Sequence, residues 1–216
     1  LEQRIAASLS TEQLARAQAV QQLWCSQRLS KLNPPQESSA PEQRFVLVVD
    51  QSAGDLSIPL GLAGPESFQQ MLHAALADHP DCTVVVKVHP DVIAGRARGH
   101  FSAEDLAQPR VRISADGGHP ARLLERARAV YVVTSQMGFE ALLWGRPVHC
   151  FGMPFYAGWG LTMDRLPAPS RRNAAVQLEA VVHAALVSGT RCVDPHRHQP
   201  CRLEELMECI GLQRRM

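Results

Sequence analysis

The chain lacks any apolar run approaching the roughly 20 residues that a helix needs to cross a bilayer, which excludes a membrane-spanning helix. It also lacks a dominant charge: 22 Lys and Arg stand against 21 Asp and Glu, a formal net charge of +1. No overall field therefore recruits nucleic acid or an anionic membrane. Arginines cluster only locally, as Arg96 with Arg98, Arg110 with Arg112, and Arg122 with Arg126 and Arg128. Most of these read as solvated helix faces. There is no internal repeat, so no solenoid or propeller is expected. The six cysteines, Cys25, Cys82, Cys150, Cys192, Cys201 and Cys209, are scattered, several of them within apolar runs, and are expected to be free thiols rather than a disulfide framework. Cys192, His196, His198 and Cys201 crowd into the short stretch CVDPHRHQPC. Structural zinc sites pair their ligands in two separated knuckles, so no metal is expected there. Leu1 opens no basic and apolar leader, which leads to the expectation of a cytoplasmic protein, and an opening leucine in place of methionine to that of a fragment.

What is present is an ordinary globular composition, 45% hydrophobic and 20% charged over 216 residues, enough for one substantial core with appendages. Residues 1–32, rich in Ala, Gln, Leu and Arg, predict a mostly helical opening. NPPQESSAPE at 33–42 has the composition of a linker. Buried strands are predicted at 45–49, 82–88, 130–133 and 148–151. Helices are predicted at 66–79, 120–127, 139–144, 174–187 and 203–210. Strands alternating with helices indicate an α/β fold with a doubly wound parallel sheet.

Polar clusters close three of these strands, and in such sheets ligands bind beyond the carboxyl ends of the strands. After 130–133, Thr134 and Ser135 either cap the next helix or present its amides to a phosphate; Gln136 follows them, and Gly138 permits close approach of a ligand. Glu140 is either a solvated helix residue or a ligand contact. The loop at 152–162 contains Phe155, Tyr156 and Trp159, aromatics expected to stack on a ligand or pin a second domain. After 45–49, DQSAGDLSI places Asp50, Gln51 and Asp55 in a turn whose carboxylates suit a nucleophile, a base or a hydroxyl ligand, or merely shape the turn. After 82–88, Lys87, His89 and Pro90 stand in KVHPD, where proline directs the backbone and the imidazole can donate to a phosphate.

The segments VVDQSAGDLSI, KVHPDV, TSQMGFEALLWGRPV and GMPFYAGWGLTMDR, spanning roughly 45–166, resemble the capsule polysaccharide biosynthesis family of the KpsC and LipB type. The resemblance implies a retaining β-Kdo glycosyltransferase that uses CMP-Kdo as donor and a Kdo-containing lipid-linked acceptor, with no cofactor. His89 and Pro90 look like its histidine-proline motif around the nucleotide, and Thr134 and Ser135 like its serine motif on the phosphate. Gln51 and Asp55 are similar to a glutamine-three-spacer-aspartate motif with Asp55 as nucleophile. Lys87, Gln136, Gly138 and Glu140 complete the implied donor set, and Tyr156 and Trp159 the sugar or acceptor contacts. The family fold is of GT-B type, two Rossmann-like halves with the site between them. This chain supplies one half: an opening helix and linker at 1–43, a Rossmann-like nucleotide-sugar domain at 44–190 and a helical tail at 191–216. The expected partners are the donor, the acceptor, and the missing half or other capsule-assembly proteins, at the inner face of the inner membrane. Two alternatives stay open: a UDP-sugar transferase or epimerase half in which Glu140 holds ribose hydroxyls, and a non-catalytic capsule-assembly partner.

Overall fold

The structure, a computed structural model, describes residues 1–172 and 174–215. Its sheet has six parallel strands: β1 (Phe45–Val49), β2 (Thr83–Lys87), β3 (Val111–Ser114), β4 (Val130–Val132), β5 (Val148–Cys150) and β6 (Met163–Asp164). Their order is β3-β2-β1-β4-β5-β6, the doubly wound Rossmann arrangement, in which the direction of winding reverses between β1 and β4. β1 is buried along its whole length. An unbroken apolar run, FVLVV, suits a parallel strand covered on both faces.

Alternate residues of each strand feed two cores. Leu47, Val49, Val130 and Val132 face one cluster, and Val46, Val48, Tyr131 and Val133 the other. The helices are α1 (Glu2–Ala6), α2 (Thr11–Ser26), α3 (Ser57–Leu60), α4 (Glu66–Asp78), α5 (Pro90–Ile93), α6 (Ala103–Leu106), α7 (Ala121–Arg126), α8 (Gln136–Leu143), α9 (Leu178–Val182) and α10 (Leu203–Arg215). α2, α7, α8 and α9 cover the first face, and Phe68, Met71 and Leu72 of α4 the second. The opening helix α2 is set by a full capping box, in which Ser10 and Gln13 satisfy each other's backbone amides. α8 stops where expected, since Gly145 adopts φ 66°, open to glycine at little cost.

Three sequence expectations need correction. β3 is a strand that the sequence reading passed over, and Arg110 beside it is no solvated helix residue. Its guanidinium donates to the carbonyls of Leu76, His79 and Cys82 and so closes the carboxyl end of α4. Arg112 lies within β3 itself. The segment 33–42, linker-like in composition, is bound to the domain: Ser38 is fully buried, Ser38 N donates to His119 O at 2.9 Å and His119 N donates to Gln36 O at 2.8 Å. The tail opens as a hairpin of β7 (Cys192–Val193) and β8 (Pro200–Cys201) before α10 begins. All six cysteines are free.

Candidate functional site

At the carboxyl ends of β1 and β4, where the winding reverses, a cavity of about 350 Å³ opens. Gln51 is its keystone. The side chain is buried and bridges the two strand ends: Thr134 N donates to Gln51 Oε1 at 3.0 Å, and Gln51 Nε2 lies 3.0 Å from Thr134 Oγ1 and 3.1 Å from Asp55 Oδ2. Thr134 is held as tightly by its methyl group. A Cβ on Gly61 or Gly152 would come within 2.4 or 2.8 Å of Thr134 Cγ2, so both glycines make room for it.

The electrostatics of the turn follow from this framework. Burial pushes the Asp55 carboxyl up, but hydrogen bonds from Ser57 and Gln51 and the charge of Lys31 outweigh it and hold the pKa below the ordinary carboxylate range. Asp55 is therefore an ionised carboxylate at the cavity wall. Its neighbour Asp50 is buried instead and pushed up by that burial, against hydrogen bonds from Gln51 N and from His100, whose ring stacks on Phe68 at 3.7 Å. His100 Nδ1 lies 2.9 Å from the Gln51 carbonyl, so His100 and Asp50 brace the Gln51 backbone.

Opposite stand Lys87 and His89. Lys87 is 7% exposed; its Nζ donates to Ser38 Oγ at 3.0 Å and to Gly118 O at 3.1 Å. Burial lowers its pKa, with Asp116 acting against the shift. His89 caps α5 by accepting Asp91 N–H at Nδ1, 3.1 Å away, which leaves the neutral ring's proton on Nε2 as a donor. Ser135 caps α8, its Oγ accepting from Met137 N.

Gln51, Asp55, Lys87, His89, Pro90, Thr134, Ser135, Gln136 and Glu140 all line this one cavity. Gly138, Tyr156 and Trp159 do not. Gly138 is buried, and a Cβ there would stand 2.2 Å from Tyr156 Oη; the glycine accommodates a tyrosine rather than a ligand. Tyr156 is 0% and Trp159 1% exposed. The Tyr156 hydroxyl donates to Ser135 O and Trp159 Nε1 to Phe155 O, so the aromatic loop packs into its own core. Arg172 organises it, donating to the carbonyls of Pro154 and Ala157 beneath the Trp159 ring. Only Phe155 of that loop reaches the cavity.

The sequence reading missed one wall. Ser30, Lys31, Leu32 and Pro34 line the cavity. They are pinned by Asn33, whose Oδ1 accepts Ser30 N–H at 3.0 Å and lies 3.2 Å from His119 Nε2. Burial drops the His119 pKa to about 4, so the ring is neutral. Glu140 holds the same segment, accepting Lys31 N–H at 3.0 Å through Oε1, while its Oε2 is enclosed without a partner among the described residues. No group of three or more potential metal ligands occurs among the described residues.

Residues 2–191 match the family described as capsule polysaccharide biosynthesis protein. The capsule polysaccharide modification protein LipA of Neisseria meningitidis serogroup B is 37% identical over 232 residues, covering 100% of this chain and 32% of LipA. The lipopolysaccharide-processing protein LpsZ of Rhizobium meliloti is 35% identical over 74% of this chain and 37% of its own length. This chain thus spans about a third of the length of these relatives. Among solved structures, Thermosulfurimonas dismutans KpsC, beta Kdo 2,4 transferase, superposes with a TM-score of 0.86 at 33% identity, over 95% of this chain and 64% of that one. The KpsC beta Kdo 2,7 transferase does so with a TM-score of 0.72 at 28% identity, over 97% and 64%. The parallel sheet is the Rossmann-like half of a GT-B type fold, and the chain belongs to the capsule polysaccharide biosynthesis protein family.

Proposed function

We propose that the chain is the donor-binding half of a glycosyltransferase that takes Kdo, a carboxylated eight-carbon sugar, from CMP-Kdo and passes it with retention to a Kdo-bearing lipid-linked acceptor. The observation that carries this reading is the Gln51 bridge. It fixes an ionised Asp55 at the switch point of the sheet, facing the cavity that Lys87, His89 and Ser135 also line.

In the proposed chemistry Asp55 attacks the anomeric carbon while the bond from that carbon to the phosphate oxygen of CMP breaks, and the electron pair leaves with the phosphate. The Lys87 ammonium, the Nε2–H of His89 and the amides opening α8 receive the growing negative charge. An acceptor hydroxyl then attacks from the face opposite Asp55, which the phosphate has vacated, passes its proton to the released CMP phosphate and restores the Asp55 carboxylate, so that two inversions give retention. Glu140 holds the Lys31 backbone that forms one wall of the nucleotide's cavity. No helix among the described residues is long and apolar enough to cross a membrane. In this reading the protein works in the cytoplasm and meets its lipid acceptor at the inner face of the inner membrane.

The test is a calorimetric titration with CMP, with UMP as control and a His89→Ala, Ser135→Ala double variant as blank. CMP should bind in preference to UMP, and the double variant should lose it. Equal affinity for UMP would favour a UDP-sugar enzyme; undiminished CMP binding by the double variant would sink the site assignment.

A further inference from the structure

The stretch CVDPHRHQPC, too crowded for a zinc site, folds into the hairpin of β7 and β8, and its antiparallel register sets Cys192 directly opposite Cys201. Opposed residues of such a pair project to the same face with Cα atoms about 4.5 or about 5.5 Å apart, and a disulfide spans about 4.4–6.8 Å. The hairpin holds this register without a covalent bond. Asp194 N donates to Gln199 O at 2.8 Å, and Asp194 Oδ1 accepts from His196 N at 2.8 Å and from Arg197 N at 3.0 Å. The backbone itself therefore brings the two thiols together.

Other thiols of the chain are placed differently. Cys82 and Cys150 are buried, which shuts out an oxidant. Cys25 donates to Leu143 O at 3.4 Å, and burial pushes its pKa up to about 11, so little of it is thiolate at neutral pH. Cys192 and Cys201 are half-buried, within reach of a small solute. Desolvation, then the charges of Cys192, Asp194, Glu205 and Cys209, push the Cys201 thiol up, which makes its sulfur a poor leaving group once it is bonded.

We infer that Cys192 and Cys201 form a reversible disulfide by exchange with a low-molecular-weight disulfide. One cysteine thiolate attacks that disulfide, whose S–S bond breaks, and one small thiolate leaves with the electron pair. The second cysteine sulfur then attacks the mixed disulfide and expels the other small thiolate. The two cysteine protons pass to the two small thiols, so the pair is oxidised as the external disulfide is reduced. The new bond closes the hairpin at the base of α10, which begins at Leu203. α10 is tied to α2 by the Arg16–Glu204 ion pair at 2.8 Å, and Arg214 donates to Arg28 O and, at 3.3 Å, to Glu37 Oε1. Arg28 and Glu37 flank residues 30–34, a wall of the first cavity, so fastening α10 steadies that wall. The order of the wall thereby follows the redox state of its surroundings.

The experiment equilibrates the whole chain in glutathione buffers from fully reduced to fully oxidised, traps the free thiols by alkylation and maps the peptides by mass spectrometry. The Cys192–Cys201 bond should appear in a single transition while Cys25, Cys82 and Cys150 remain thiols. Limited proteolysis of the oxidised chain should slow by about tenfold within residues 191–202 and within residues 30–34. Cys192→Ser and Cys201→Ser should each abolish both the transition and the protection, and Cys209→Ser should retain them. Stable glutathione adducts in place of the bond, pairing of either cysteine with Cys209, or thiols that stay reduced in the most oxidising buffer would overturn the disulfide. A mapped Cys192–Cys201 bond with cleavage at 30–34 unchanged would overturn its link to the cavity wall.

Discussion

Glu140 is a carboxyl group enclosed on α8 with one oxygen satisfied and the other alone. Burial pushes its pKa up to about 7, with Ser30 and Lys31 acting in the other direction. The folded state therefore holds the proton more tightly than the unfolded chain, whose carboxyl titrates near 4.5. Stability from this group is complete below about pH 4.5 and is lost as the pH rises through about 7. The variant Glu140→Gln removes the ionisation, so its stability relative to the natural chain should climb between about pH 5 and pH 8 by a few kcal/mol at most. Urea denaturation of both proteins at the two pH values measures it. A difference that stays constant with pH would show that ionisation is not what burial of this side chain costs.

The same scale explains where sequence reading stopped. That Gln51, Asp55, His89 and Ser135 share one cavity was legible because all four lie in the turns that follow β1, β2 and β4, and in a doubly wound parallel sheet such turns gather beyond the carboxyl ends of the strands. Tyr156 and Trp159 were legible as an unusual loop but not in their direction. Aromatics in a loop satisfy a ligand or their own core equally well, and the choice fell to Arg172, a residue beyond the loop that gathers its carbonyls. Gly138 misled for a related reason: its missing side chain makes room for Tyr156 rather than for a ligand.

Among the elements, β1 and β2 announce themselves as continuous apolar runs, whereas the edge strand β3 alternates buried ends with an exposed middle and β6 is two residues long. The segment after α2 was harder still. Its prolines and serines match a free linker, yet Asn33, Ser38 and Glu37 bind partners such as His119 and Asp116 that lie far along the chain, which local composition does not record. Asn33 is the centre of that clasp. Asn33→Ala would leave the Ser30 amide and the His119 ring N–H without partners in places where both residues are buried, a loss of roughly 1–3 kcal/mol. Because Ser30, Lys31, Leu32 and Pro34 form a cavity wall, CMP affinity should fall with it, and proteolysis should begin within residues 30–34. Urea unfolding, a CMP titration and limited proteolysis of the variant check both effects. A destabilised variant with unchanged affinity and no new cleavage would mean that the wall does not depend on the clasp.

At the scale of the whole molecule, the cavity proposed above to hold the donor is lined by the sheet ends, α8 and the segment after α2. On that proposal these walls should suffice to bind CMP. Transfer has a further requirement, since a displacement at the anomeric carbon must exclude water and hold the acceptor in line with Asp55. The related transferase chain is longer than this one, with 64% of its length matched, so a third of that fold has no counterpart here. We expect the chain to bind CMP and yet to give little product when supplied with CMP-Kdo and a Kdo-bearing acceptor. Asp55→Asn should keep CMP binding and remove whatever turnover remains, because it leaves the Gln51 bridge to Thr134 in place while withdrawing the nucleophile. Product formation followed by mass spectrometry decides the matter. Robust turnover by the chain alone would show that acceptor positioning and water exclusion are complete within it, and would overturn the half-enzyme reading without touching the donor site.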